Sequence, residues 1–180
     1  MTNYLVVTAM GADRPGIVSN LARLASDCDC DIVDSRMALF GNEFTLIMMV
    51  SGSWAAITKI ETSLPALSME LELLTVMKRT SKHHMPQNYI SRIEVTFHGQ
   101  DQRGTMTQIT QFLAARSLDL AAVRSHAEED DQGHSIQTVV LAINIPEKVV
   151  LETLEHSIHQ LAQDMSLDCS IKRMQGIAAP

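Results

Sequence analysis

The chain has 180 residues, 46% of them hydrophobic, and a formal net charge of −7. No stretch approaches the roughly 18 consecutive apolar residues of a membrane-spanning helix, and the acidic balance is the opposite of a nucleic-acid-binding footprint. That balance is shared evenly: residues 1–77 carry four basic and nine acidic side chains, residues 90–180 carry seven and twelve, and Lys78, Arg79 and Lys82 lie between.

Met1-Thr2-Asn3 runs directly into an apolar segment without a basic region or a small-residue cleavage site, which predicts a cytoplasmic protein without a signal peptide. Tyr4 to Met10 is that segment and predicts a first strand. Gly11 to Pro15 has turn chemistry. Beyond Pro15 the period changes, and Ile17, Leu21, Leu24 and Cys28 fall on one helical face. Asp31 to Phe40 and Glu43 to Val50 predict two strands hinged at Gly41-Asn42. Ser53 is a suitable N-cap for a second helix, with Ile57, Ile60 and Leu64 inward and Pro65 marking its end. Met69 to Met77 predicts a fourth strand.

The second half repeats this order. Ile90 to Phe97 predicts a strand, and Gly104 to Arg116 a helix with Met106, Ile109 and Leu113 inward. Leu118 to His126 and Ser135 to Ile145 predict a hairpin. Pro146 to Gln163 predicts a helix with Val150, Leu154, Ile158 and Leu161 at helical spacing, and Ser166 to Met174 a last strand. The polar segment Lys78 to Asn88 reads as a connection, so the chain divides into domain 1 (1–80), a linker (81–89) and domain 2 (90–176). Strand-helix-strand-strand-helix-strand, twice, is the α+β ferredoxin-like pattern: an antiparallel four-stranded sheet with two helices on one face.

The halves also match residue by residue. Gly11 and Gly99, Leu21 and Ile109, Leu24 and Phe112, and Asp31-Ile32 and Asp119-Leu120 share one ungapped offset, as do Asp13-Arg14-Pro15-Gly16 and Asp101-Gln102-Arg103-Gly104. A repeat of this length is a small domain rather than a solenoid unit. Phe44 to Val50 and Tyr4 to Met10 are apolar at nearly every position, whereas a strand with one wet face alternates. The second face of sheet 1 is therefore expected to be covered, by the second module or by a second chain in a homodimer.

The turns after the first strand of each module are the candidate ligand site. A glycine-flanked loop opening a helix presents free backbone N–H groups and the positive end of the helix dipole, which suits a small carboxylate. In the first module, Gly11 and Gly16 allow close approach, Asp13 is a partner for an ammonium group, and Arg14 is a partner for a carboxylate. A structural reading stands beside this one: Asp13 caps the helix, Arg14 is solvated and Gly16 serves packing.

The Asp13-Arg14-Pro15-Gly16-Ile17-Val18 turn in a βαββαβ module resembles the ACT domain, an amino-acid-sensing module. Within that family the first module is most similar to repressors of glycine cleavage genes, through Asp34-Ser35-Arg36, Glu43-Phe44-Thr45, Ser51-Gly52-Ser53-Trp54 and Leu74 to Thr80. The resemblance implies a non-enzymatic regulator that binds a small amino acid, glycine foremost, and represses through contact with a DNA-binding transcriptional activator rather than with DNA. It places the effector between modules, against Gly11, Asp13, Arg14 and Gly16 with Asp31 facing them, and in the second copy against Gly99, Asp101 and Gly104 with Asp119. Many effector-binding members carry Asn where this chain has Asp31 and Asp119, and an ionised Asp cannot donate to a carboxylate. In the second module Arg103 replaces Pro15.

No cofactor and no metal is expected. His83-His84 reads as solvated linker, Cys28 as core-facing, Cys30 as incidental, and all three cysteines, Cys169 included, as reduced thiols. Glu128-Glu129-Asp130-Asp131 reads as a solvated acidic hairpin tip. Two other classes share the topology. An RNA-binding module stacks bases on sheet aromatics, and Ser135 to Ile145 has none. An acylphosphatase-like enzyme wants an Asn on the second strand to accompany Arg14, and that strand has none.

Overall fold

The computed structural model describes residues 1–82 and 89–174. The chain divides into two compact units, Met1–His84 and Met85–Pro180. The expected linker, with His83-His84, lies largely outside the described residues, as do residues 175–180.

Unit 1 contains β1 (Asn3–Ala12), α1 (Ile17–Asp27), β2 (Asp31–Phe40), β3 (Glu43–Gly52), α2 (Trp54–Glu70) and β4 (Leu74–Thr80). Its strands form an antiparallel sheet in the order β2-β3-β1-β4, here called sheet 1. Unit 2 contains β5 (Tyr89–Gln100), α3 (Thr105–Ala115), β6 (Asp119–Glu129), β7 (Ser135–Pro146), α4 (Leu151–Asp164) and β8 (Asp168–Met174), with sheet 2 in the corresponding order β6-β7-β5-β8.

Directly paired residues of an antiparallel sheet share a face. In sheet 1 the register couples Leu5 with Val50, Val7 with Met48 and Ala9 with Leu46. All six are buried with Phe44, with Ile17, Leu21 and Ala25 of α1, and with Ile57, Ile60 and Leu64 of α2. Unit 2 has its own core, from Ile93, Val95 and Phe97 to Ile109, Leu113, Leu154 and Ile158. None of the helices among the described residues is long and apolar enough to cross a membrane.

Five local expectations are corrected. Pro65 does not end α2, which continues to Glu70. Its ring removes one backbone donor, but continuing the helix buries Ser68 and packs Leu67 against the core, and Ser68 Oγ donates to the Leu64 carbonyl at 2.8 Å. Met69 is therefore helical, and β4 begins only at Leu74. In unit 2, Pro146 ends β7 instead of starting a helix, and its carbonyl accepts the Val149 N–H at 3.0 Å. Val150 is consequently the exposed N-cap of α4, while Leu154 and Ile158 are buried together with Ala162 and Leu161 packs partly buried against the core. Cys30 is buried like Cys28, at 7% and 4% exposure. Ser53 caps α2 as expected, accepting the Ala56 N–H at 3.1 Å.

One ion pair recurs in both units. Arg79 grips Glu61 with bonds of 2.8 and 2.7 Å, and Arg173 grips Glu155 at 2.8 and 2.9 Å. Each pins the last strand of its sheet to the second helix. Hydrogen bonds from the arginines hold both glutamates below their ordinary range. A depressed folded value contributes stability above the unfolded value of about 4.3, and that contribution disappears as pH falls through the folded value. The Glu61→Gln, Glu155→Gln double variant should therefore be less stable than the parent at pH 7. The difference should shrink in acid, as read by urea midpoints between pH 7 and 3; a constant gap refutes the role.

Candidate functional site

The two β-α turns have nearly the same geometry. Gly16 and Gly104 are the N-caps of α1 and α3, in the left-handed region at φ 90° and 94°, and neither helix has a side-chain cap. Asp13 is thus not the capping residue considered for α1, and the first N–H groups of both helices have no side-chain acceptor. Asn20 Nδ2 donates to the Gly16 carbonyl at 2.9 Å. The Asp13 N–H donates to the Asn42 carbonyl at 3.3 Å and the Asp101 N–H to the Ser135 carbonyl at 2.8 Å, so each turn is tied to the β-hairpin beside it.

Gly11 and Gly99 serve packing. A Cβ on Gly11 would stand 2.8 Å from Leu73 Cδ2 and 3.1 Å from the Glu72 carbonyl oxygen, and one on Gly99 would stand 2.7 Å from Leu167 Cδ2. The loop entering the last strand of each sheet packs against the Cα of these glycines. Arg14 is likewise engaged within the unit: its guanidinium donates to the Leu71 carbonyl and lies 3.7 Å from the Glu72 carboxylate.

Asp31 and Asp119 do not face the turn of their own unit. Gly11 pairs with Phe44 and Asp31 with Ser51, seven residues further along β3. Gly99 pairs with Gln137 and Asp119 with Asn144, again seven residues along β7. At about 3.3 Å per residue the turn and the aspartate are roughly 23 Å apart, at opposite ends of the sheet.

Sequence reading missed two groups. Asn144 is 3% exposed, accepts from Arg92 Nε at 2.9 Å and donates to Asp119 Oδ2 at 3.0 Å. This chain orients the Asp119 carboxylate, and its trace in the sequence is one asparagine inside the apolar run Leu141 to Ile145. The second is Gln137, whose Oε1 is the one buried side-chain polar atom without a partner among the described residues. It occupies, beside Gly99, the place that Phe44 holds beside Gly11.

Thiol chemistry is not favoured. Burial raises the Cys28 and Cys30 thiols and pushes Cys169 up to about 11, and the thiolate is the reactive form. Among the described residues no three His, Cys, Asp or Glu side chains converge as metal ligands do.

Comparison with known proteins bears on the whole chain. The ACT domain family matches residues 3–78. The glycine cleavage system transcriptional repressors of Escherichia coli (strain K12) and Shigella flexneri are each 36% identical over 173 residues, covering 94% of this chain and 89% of theirs. A crystal structure described as a candidate glycine cleavage system transcriptional repressor is 34% identical, with a TM-score of 0.76, covering 98% of this chain and 99% of that one. A structure from Galdieria sulphuraria, 19% identical with a TM-score of 0.75, shares the fold. With two βαββαβ units, a glycine-opened helix in each and this similarity along nearly its full length, the chain belongs to the ACT-domain family of glycine cleavage system transcriptional repressors.

Proposed function

We propose that this protein is a non-enzymatic regulator that senses a small amino acid, glycine foremost, and represses glycine cleavage genes by contacting a DNA-binding activator. The observation that carries the reading is the 36% identity to named repressors along 94% of the chain. Its charge of −7 favours a protein partner over direct contact with DNA. Within the site, the N–H groups at the start of α1 and α3 are suited to the effector carboxylate, and Asp31 or Asp119 to its ammonium group. Turn and aspartate lie at opposite ends of one sheet, so no single unit presents both to one small effector. Arg14, turned toward Leu71 and Glu72, contributes to the shape of the loop more than to the ligand.

Effector binding changes activator contact only through unequal affinity for the free and bound forms. Titration calorimetry with glycine, serine and alanine is the test. Glycine should give the strongest heat, and Asp31→Ala or Asp119→Ala should weaken its binding at least tenfold. Absence of heat and of thermal stabilisation with all three amino acids would refute sensing by this chain.

A further inference from the structure

The duplication supplies an internal control: features demanded by the fold recur in both units, and features that do not recur have another cause. Paired glycines, left-handed caps and arginine–glutamate grips all recur. The sheet face turned away from the helices does not: around Met10, Ile47 and Val76 it is apolar in sheet 1, and in sheet 2 it carries Arg92, Glu94 and His98. The surroundings of the grip do not recur either, and there the difference has a chemical direction.

In unit 2 a second carboxylate attends the guanidinium, since Glu152 lies 3.6 Å from Arg173 in addition to Glu155. In unit 1 the place of Glu152, three residues before the gripped glutamate, is held by the neutral Thr58, whose Oγ1 accepts from Arg79 Nη2 at 3.1 Å. One helical turn earlier stands Trp54, with the Arg79 guanidinium over its ring, 5.4 Å from the centroid. Unit 2 has Lys148 at that place, ahead of α4. Trp54 is nevertheless 63% exposed, and the Arg79 side chain 38%. A single exposed apolar residue is ordinary on a folded protein. This one differs because it is held. The cation–π contact orients the ring, and three hydrogen bonds to Glu61 and Thr58 fix the cation, so little side-chain freedom remains to be lost on association. Arg79 is also flanked by Lys78 on β4 and by Lys82 two residues beyond the strand, a basic segment between two acidic halves of the chain.

We propose that Trp54 and Arg79, with Lys78 and Lys82 beside them, form the surface on which the DNA-binding activator docks, through an apolar pocket that receives the indole and carboxylates that surround it. The assignment rests on the repressor reading of the chain and names the face that performs it. Tryptophan and arginine are the side chains that most often dominate the binding energy at the centre of a protein interface. An acidic surface on the partner is repelled by the net charge of both halves of this chain and attracted to the segment between them, so charge selects the same face as the exposed ring. Nucleic acid fits it less well. The three cations belong to a chain of net charge −7, Arg79 is already bonded to Glu61, and its guanidinium covers one face of the ring on which a base would stack.

Biolayer interferometry of the full chain against the purified activator tests this, with melting by circular dichroism and glycine calorimetry on every variant. Trp54→Ala should weaken activator binding at least tenfold, while melting temperature and glycine affinity stay close to the parent's. The Lys78→Glu, Lys82→Glu double variant should also weaken it at least tenfold and reduce its dependence on salt. Activator binding by folded Trp54→Ala equal to that of the parent overturns the surface and leaves the repressor reading standing. Undiminished binding by the double lysine variant overturns the selection by charge. A parent that does not bind the activator overturns the repressor reading and the surface with it. Tight, salt-sensitive binding of the parent to a duplex of the glycine cleavage control region, lost in Trp54→Ala, assigns the face to nucleic acid and overturns protein docking.

Discussion

Phe44→Ala should cost unit 1 about 3–5 kcal/mol, the range for deleting a buried phenylalanine ring when the surroundings only partly collapse. Phe44 is 2% exposed and begins the inward row of β3 that continues through Leu46, Met48 and Val50. A domain of this size has a total stability of roughly 4–12 kcal/mol, so one truncation brings unit 1 close to unfolding. The chain has a single tryptophan, Trp54, and it opens α2 of the same unit. Urea denaturation followed by its fluorescence therefore reads the unit that carries the substitution. A shift smaller than about 1 kcal/mol would show that Phe44 is not the core residue described here.

Gly11→Ala and Gly99→Ala should each destabilise the protein by about 1–3 kcal/mol through overpacking. Each added methyl enters a filled space, 2.8 Å from Leu73 Cδ2 in one unit and 2.7 Å from Leu167 Cδ2 in the other. Leu73 and Leu167 are both nearly buried and have little room to retreat. Gly104→Ala is the contrast. Nothing stands within 4 Å of its added carbon, so its cost comes from the left-handed backbone, about 1–2 kcal/mol. Thermal denaturation compares the three. Folded Gly11→Ala should bind glycine with parental affinity, because Gly11 faces the protein interior; a selective loss of glycine binding without loss of stability would reverse that assignment.

The fold was largely legible because its signals are local. The change of period at Pro15, the Ser53 cap and the inward Ile57, Ile60 and Leu64 each depend on residues a turn or two apart. Pro65 misled because its local preference was outweighed by burial of residues beyond it, an effect that exists only once α2 meets the sheet. Val150 misled because helical spacing does not tell an inward residue from the one just before the helix begins.

The candidate site was legible in its motif and not in its geometry. That glycines open both helices follows from two short turns read side by side. Their division of labour does not. Gly11 is held by Leu73, Arg14 bonds to the Leu71 carbonyl 57 residues away, and Asn144 links Arg92 to Asp119 across three strands.

The amino-acid sequence alone determined the duplication, the order of elements and most of the side chains that face each core, since alternation and helical spacing are imposed by neighbours along the chain. Tertiary structure decided that Asp31 and Asp119 lie across their sheets from the turns, that Gly11 and Gly99 are packing residues, and that one sheet face is apolar where its counterpart is charged. Those facts rest on strand register and on contacts between distant segments, and neither exists until the chain has closed on itself.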